Sequence, residues 1–256
     1  MVQGFELARS FIETAELPPR PQAPVGQGEG DEKPFSTVKD QASVVGSDIV
    51  AFVAGTEDTV REAISNSSLL AQLVATKKVG EDADIYEWYK AYFSVLRNIG
   101  WLVQDEGFAE YAEEGDGFEV HERILDVAAV LLAPAPAALA VVKTTLKALK
   151  GLSENSPWIT LFSRESVKAE SARFQVTVVE PGVGQGLLVS MIAFGIKAST
   201  TITQVLFFKV KKNRATLRSN SARLSLNAEA LADLAPLIKQ KVRAYQRHYV
   251  KTLPGL

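Results

Sequence analysis

Residues 172–199 read ARFQVTVVEPGVGQGLLVSMIAFGIKAS, and the fold turns on this stretch. In its first part Phe174, Val176 and Val178 alternate with Arg173, Gln175 and Thr177. That period of two is the mark of a strand with one apolar face. The segment PGVGQ (181–185) reads as a hairpin connection. Its glycine spacing lacks the following helix of a dinucleotide loop. GLLVSMIAFGIKAS (186–199) is apolar almost throughout, as expected of a strand covered on both faces. Downstream, ITQVLFFKVKK (202–212) alternates again, with Ile202, Leu206, Phe208 and Val210 opposite Val205, Phe207, Lys209 and Lys211. RATLRSNSARLSL (214–226) adds one strand or two short ones, with Arg214, Arg218 and Arg223 on the polar side. Together these segments predict an antiparallel sheet in the C-terminal half.

Upstream the period changes to that of helices. A helical pattern opens near Ser47, where Ile49, Phe52 and Val53 share a face. Thr56 before Glu57 and Asp58 reads as a cap followed by acids that favour a helix start. Val60, Ile64, Leu69, Leu70, Leu73 and Val74 carry the pattern through one or two short helices. From Asp84 onward, Ile85, Trp88, Tyr89, Tyr92, Val95, Leu96, Ile99 and Val103 keep three-and-four spacing, and this aromatic stripe is expected to be core. Residues 124–142 are the most apolar run, but Pro134 and Pro136 interrupt them and Asp126 lies inside. Proline removes a backbone donor and clashes with the preceding turn, so two helices meeting there are expected rather than one membrane span. The second helix continues through residues 143–152, with Val142, Leu146 and Leu149 on one face and Lys143, Lys147 and Lys150 on another. At the C-terminus, Asn227 is the expected cap of a helix that re-starts at Pro236 and ends in the basic segment 239–251.

Residues 14–36 hold Pro18, Pro19, Pro21, Pro24 and Pro34 and cannot bury enough apolar surface to offset their ordering entropy. A plain linker is favoured over a ligand for a proline-reading partner. The expected organisation is a flexible arm over 1–45 and one α+β domain over 46–256. Helices in 46–155 would pack on a sheet plus a C-terminal helix in 156–256. The N-terminus MVQGFELARSF has no signal-peptide pattern. Expected localisations are therefore cytoplasmic, or exported by a non-classical route, with peripheral membrane attachment.

Composition excludes more than it assigns. With 46% hydrophobic and 23% charged residues, the chain is ordinary globular material rather than disordered or polytopic. Cysteine is absent, which removes disulfides, thiolate metal sites, a cysteine nucleophile and S-acylation. With only His121 and His248, histidine-based constellations are short of parts, and HERIL at 121–125 has Leu125 where a zincin helix needs its second histidine. The acidic segment 105–117 lacks the alternation of an EF-hand loop. No nucleophile elbow or Walker loop is present. No catalytic, cofactor-binding or metal-ligating residue is therefore assigned. Charge is uneven: residues 171–256 carry 13 lysines and arginines against three acids, and residues 1–170 carry 15 against 27. Such asymmetry suits either two halves that offset each other or a basic surface that meets an anion. Candidates for that surface are Arg173, Lys209, Lys211, Arg214, Arg218 and Arg223, on one outer face of the sheet. An ordinary solvated face is the competing reading.

Several segments together carry a resemblance to a known family. They are Leu69-Leu70-Ala71-Gln72-Leu73 with Lys77-Lys78, Trp88-Tyr89 through Tyr92 and Val95-Leu96, and Gly100-Trp101 to Gln104. Leu146 through Ala148-Leu149, Leu152-Ser153, Ala198-Ser199-Thr200, Leu206-Phe207-Phe208-Lys209 and Leu224 to Asn227 continue the likeness, which covers residues 45–250. The matches are mostly structural positions, and together they resemble the Erwinia virulence factor-like family. The resemblance implies an α+β fold, a non-enzymatic role in bacterial persistence in an insect host, and membrane association through a palmitoylated cysteine. The last feature does not carry over to a chain without cysteine, so any lipid contact here must be non-covalent.

Three readings follow. The first is a non-enzymatic, virulence-factor-like protein that associates with an anionic lipid or membrane surface. Its contact candidates are Val130, Leu131, Leu132, Leu139, Val142, Lys143, Lys147 and Lys150, an apolar wedge beside positive charge. The second is a soluble interaction module for a host or bacterial protein, with those helices as core. The third is an enzyme whose site escapes motif reading and would show as a pocket with converging polar groups. Nucleic acid is not an expected partner, because the sheet lacks an aromatic stacking signature.

Overall fold

The computed structural model describes residues 2–20, 35–105, 107–110, 117–182, 187–206, 209–211, 215–225 and 228–253. Its centre is a mixed sheet with helices on both faces. Along the chain come α1 (Val2–Thr14), β1 (Gln41–Val45), β2 (Asp48–Phe52), α2 (Asp58–Val79), α3 (Ile85–Asn98), β3 (Leu102–Asp105), β4 (Ala109–Glu110) and β5 (Gly117–Glu119). There follow α4 (Val120–Leu131), α5 (Pro136–Lys150), α6 (Pro157–Ser166), β6 (Val167–Lys168), β7 (Ser171–Pro181) and β8 (Leu187–Ala198). The chain closes with β9 (Lys209–Lys211), β10 (Ala215–Ser225), α7 (Ala228–Tyr249) and β11 (Val250–Thr252). The main sheet runs β11-β1-β2-β7-β8-β10-β3, with β4 and β6 as short additions, while β5 and β9 pair separately. The α+β expectation holds. Every described pairing is antiparallel except β2 with β7, which is parallel.

The β7–β8 hairpin is the spine. Phe174 and Phe194 sit opposite each other and stack at 4.9 Å. Its even-numbered β7 residues Phe174, Val176 and Val178 meet α4, α5 and α6 in one core. Arg173, Gln175 and Thr177 point the other way and are also buried, at 5%, 0% and 3% exposure. A second helical layer of α1, α2, α3 and α7 lies over that face. The polar parity of this strand is therefore an interior face, and not the solvated outer face that alternation suggested. Helix α3 presses directly on β8, where a Cβ at Gly195 would stand 2.9 Å from Ile85 Cγ2. Tyr89 fixes the crossing by donating from its hydroxyl to Phe174 O at 2.6 Å.

The structure corrects several sequence expectations. Residues 47–53 are not the start of a helix: β1 and β2 form a hairpin through Gly46, which has a φ of +57°. A Cβ at Gly46 would also collide with Gln72 Oε1, so the turn needs glycine twice over. Thr56 does not cap α2, because its hydroxyl donates back to Val53 O at 2.9 Å. Residues 2–14 of the expected arm are helical, and Ala8 and Ile12 are buried in the core with α7. Residues 41–45 are β1, while residues 21–34 lie outside the described residues. Residues 202–206 are irregular, and among the described residues of the expected strand Lys209–Lys211 form a strand, while 207, 208 and 212 lie outside the described residues. Helix α7 does not re-start at Pro236 but runs through it. Pro236 is exposed, so the backbone carbonyl left without a donor can turn to water. Asn227 lies outside the described residues. The break at Pro134 and Pro136 holds, with Pro136 at the first helical position of α5.

Candidate functional site

The first candidate is the α4–α5 hairpin. Ile124, Ala128 and Leu132, with Ala138, Val141, Val142, Leu146 and Leu149, face the sheet and are buried. The opposite side at the bend is apolar and open: Ala129, Val130, Ala133, Pro134, Pro136, Ala137 and Ala140 are exposed. Val130 is 81% exposed. Of the contact residues expected from sequence, Val130 is at the tip and Leu131 and Leu139 are half-buried. Leu132 and Val142 are corrected to core, at 1% exposure each, because three-and-four spacing turns them toward the sheet. Lys143, Lys147 and Lys150 are exposed along α5. The Lys150 ammonium is held 3.7 Å from Glu119 Oε2 and 3.0 Å from His121 Nε2, which leaves Lys143 and Lys147 as the outward pair.

Glu119, His121 and Glu122 at the base of this hairpin bring three potential ligand atoms within 4.8 Å of one another. The Lys150 ammonium occupies the same corner, and His121 Nδ1 lies 3.3 Å from Glu119 Oε2. A cation is thus already supplied by the chain. The arrangement is an ion-pair cluster.

The basic face expected from sequence is not brought together. Arg173 is buried. Arg218 pairs with Glu110 at 3.0 Å and lies over the Tyr86 ring. Arg223 is exposed, but it differs in parity from Arg218 on β10 and so faces the other side of the sheet. Lys209 and Lys211 stand on β9, outside the main sheet, and Arg214 lies outside the described residues.

A second candidate was invisible to motif reading. A cavity of about 340 Å³ opens where α2, α3, α6, β7 and the end of α7 converge. Leu69, Gln72, Leu73 and Thr76 of α2, Trp88 of α3 and Arg173 of β7 form its walls. Pro18, Pro19, Glu81, Glu165, Lys168 and Tyr249 also line it. The Trp88 indole donates to Thr76 Oγ1 at 2.9 Å and stacks on Tyr92. The Arg173 guanidinium lies 4.5 Å from the Trp88 ring centre. Burial pulls the Arg173 pKa down, while Tyr89, Glu165 and Glu81 pull it up.

Behind the cavity wall runs a buried polar chain. Gln72 Oε1 accepts from Ser47 N at 2.9 Å and from Ser47 Oγ at 3.1 Å. Gln72 Nε2 donates to Val45 O and to Ser68 Oγ. Ser68 Oγ donates to Asp48 Oδ2 at 2.7 Å, and Thr177 Oγ1 donates to the same oxygen at 3.0 Å. Asp48 Oδ1 has no partner, and Asp48 is fully buried. Desolvation pushes its pKa up to about 7, against the pull of hydrogen bonds from Ser68 and Thr177. Nothing in the local sequence marked Asp48. The available signal was in α2, where the polar residues Ser65, Asn66, Ser67, Ser68 and Gln72 flank and interrupt the apolar run of the helix and are all buried.

No family model matches the sequence, and no curated protein matches it. Among solved structures the chain is similar to a delta-endotoxin at 12% identity, over 80% of this chain and 91% of that one, with a TM-score of 0.42. It is similar to the Evf virulence factor at 9% identity, over 96% and 90%, with a TM-score of 0.39. It is similar to the activated Cyt2Ba monomer from Bacillus thuringiensis subsp. israelensis at 14% identity, over 55% and 79%, with a TM-score of 0.26. These neighbours are virulence-factor and toxin structures, and the similarity is weak.

Proposed function

We propose that the protein is a non-enzymatic, virulence-factor-like protein that attaches peripherally to anionic membrane surfaces through the bend between α4 and α5. One observation carries the reading: Val130, 81% exposed, stands among exposed alanines and prolines at the tip of a helix pair whose other side is locked into the core. Transfer of a valine side chain out of water is worth about 1.5–3 kcal/mol. Lys143 and Lys147, exposed along α5, would each add about 1 kcal/mol near an anionic leaflet. Attachment is shallow, since no helix among the described residues is long and apolar enough to cross a membrane. It is also non-covalent, because the chain has no cysteine for a thioester-linked acyl group. Such attachment would serve the host-associated role that the sequence resemblance implies.

The test is flotation with anionic and neutral vesicles at two salt concentrations. Salt-sensitive flotation with anionic vesicles is expected, reduced by Val130→Asp and by the pair Lys143→Glu with Lys147→Glu. Absence of flotation at low salt would refute lipid attachment and return the bend to the reading of a protein-contact surface.

A further inference from the structure

We propose that the cavity beside Trp88 is a binding site for a small monocarboxylate with an apolar body, and that the Arg173 guanidinium receives the carboxylate. A volume of about 340 Å³ falls within the range of small-molecule sites, roughly 300–1,000 Å³. Arg173 lines the cavity at 5% exposure. Its Nη1 has a long 3.5 Å contact to Glu81 O, and its Nε has no partner. A guanidinium keeps its charge even when buried, and a buried charge without an anion is costly.

The neighbouring carboxylates do not meet that need. Glu81 is 3.4 Å from Lys168, and Glu165 is 2.6 Å from Arg164. Among the described residues, therefore, this desolvated guanidinium faces the cavity with Glu81, Glu165 and Asp82 near enough to act on its charge but with no carboxylate hydrogen-bonded to it. The lateral edge of a guanidinium matches a carboxylate through two parallel hydrogen bonds. Glu81 and Glu165 on the cavity wall disfavour a dianion, which selects a carboxylate over a phosphate. Leu69, Leu73 and the Trp88 edge offer the apolar wall for the rest of the molecule.

The indole N–H resonance of Trp88, assigned with Trp88→Phe, reports occupancy in titrations with phenylacetate, hexanoate and the neutral isostere phenylacetamide. A saturable shift with at least one acid is expected, with the amide at least about tenfold weaker. Arg173→Lys should weaken the acid by about tenfold, since an ammonium cannot reproduce the fork. Lys168→Glu, at a half-buried position near Glu81, should weaken it several-fold by charge alone. No saturable shift with either acid, or equal affinity for acid and amide, would overturn the site. If Arg173→Lys does not fold, the acid-to-amide ratio and Lys168→Glu decide, and an unchanged affinity in Lys168→Glu overturns it.

Discussion

Replacing Asp48 by asparagine should remove a stability loss that the natural protein suffers as pH rises. Asp48 is fully buried, accepts from Ser68 and Thr177 on one oxygen, and has no hydrogen-bond partner on the other. Its pKa is raised from 3.8 to about 7, so the native state holds this proton more tightly than the unfolded chain. Below the unfolded value both states are protonated and the group costs nothing. Between 3.8 and about 7 the unfolded chain releases the proton first, so stability falls as pH rises, and above about 7 the loss is complete. At about 1.4 kcal/mol per pH unit, that span amounts to about 4 kcal/mol. An asparagine side chain cannot ionise, and its carbonyl can keep the two hydroxyl donors. Gln175 stands beside position 48 on the neighbouring strand and also acts on the Asp48 carboxyl, and its amide can rotate to offer its oxygen to an asparagine NH₂. Urea unfolding of both proteins from pH 4 to 8.5 is the assay. The stability of Asp48→Asn relative to the natural protein should rise by a few kcal/mol between pH 4 and 7 and then level off. A difference that stays constant across the range would refute the assignment of a neutral, buried Asp48.

Other expectations follow from packing. Gly195→Ala should destabilise by about 1–3 kcal/mol, because the new methyl would stand 2.9 Å from Ile85 Cγ2, and urea midpoints should show it. Leu132→Ala should cost about 2–5 kcal/mol, whereas Val130→Ala two residues away should stay within about 0.5 kcal/mol, since one is core and the other solvent-facing. Gly46→Ala should lower the melting temperature by several degrees, since both the positive φ and the Gln72 side chain oppose a Cβ.

Those parts of the molecule governed by a local period were legible in the sequence. The strands β7 and β8 announced themselves by alternation and by a continuous apolar run, α3 by its aromatic stripe, and the α4–α5 bend by two prolines. The β1–β2 hairpin did not, because all ten of its strand residues are buried and a short apolar run has no preferred period. Gly46 was the only local cue to its turn. Arg173, Gln175 and Thr177 looked solvent-facing because alternation identifies two faces without saying what covers each. The lysine row of α5 was readable from spacing alone, but which leucines beside it were core was not. The cavity was out of reach, since its walls are drawn from residues as far apart as Pro18 and Tyr249.

The absence of cysteine makes one direct measurement simple, because a single introduced thiol takes a unique label. Val130→Cys and Val38→Cys, at two positions 81% and 86% exposed, would each carry an environment-sensitive fluorophore. With anionic vesicles at low salt, the label at position 130 should shift to the blue and be shielded from aqueous quencher, while the label at 38 should not change. No shift at 130, or an equal shift at both positions, would contradict membrane attachment through the α4–α5 bend.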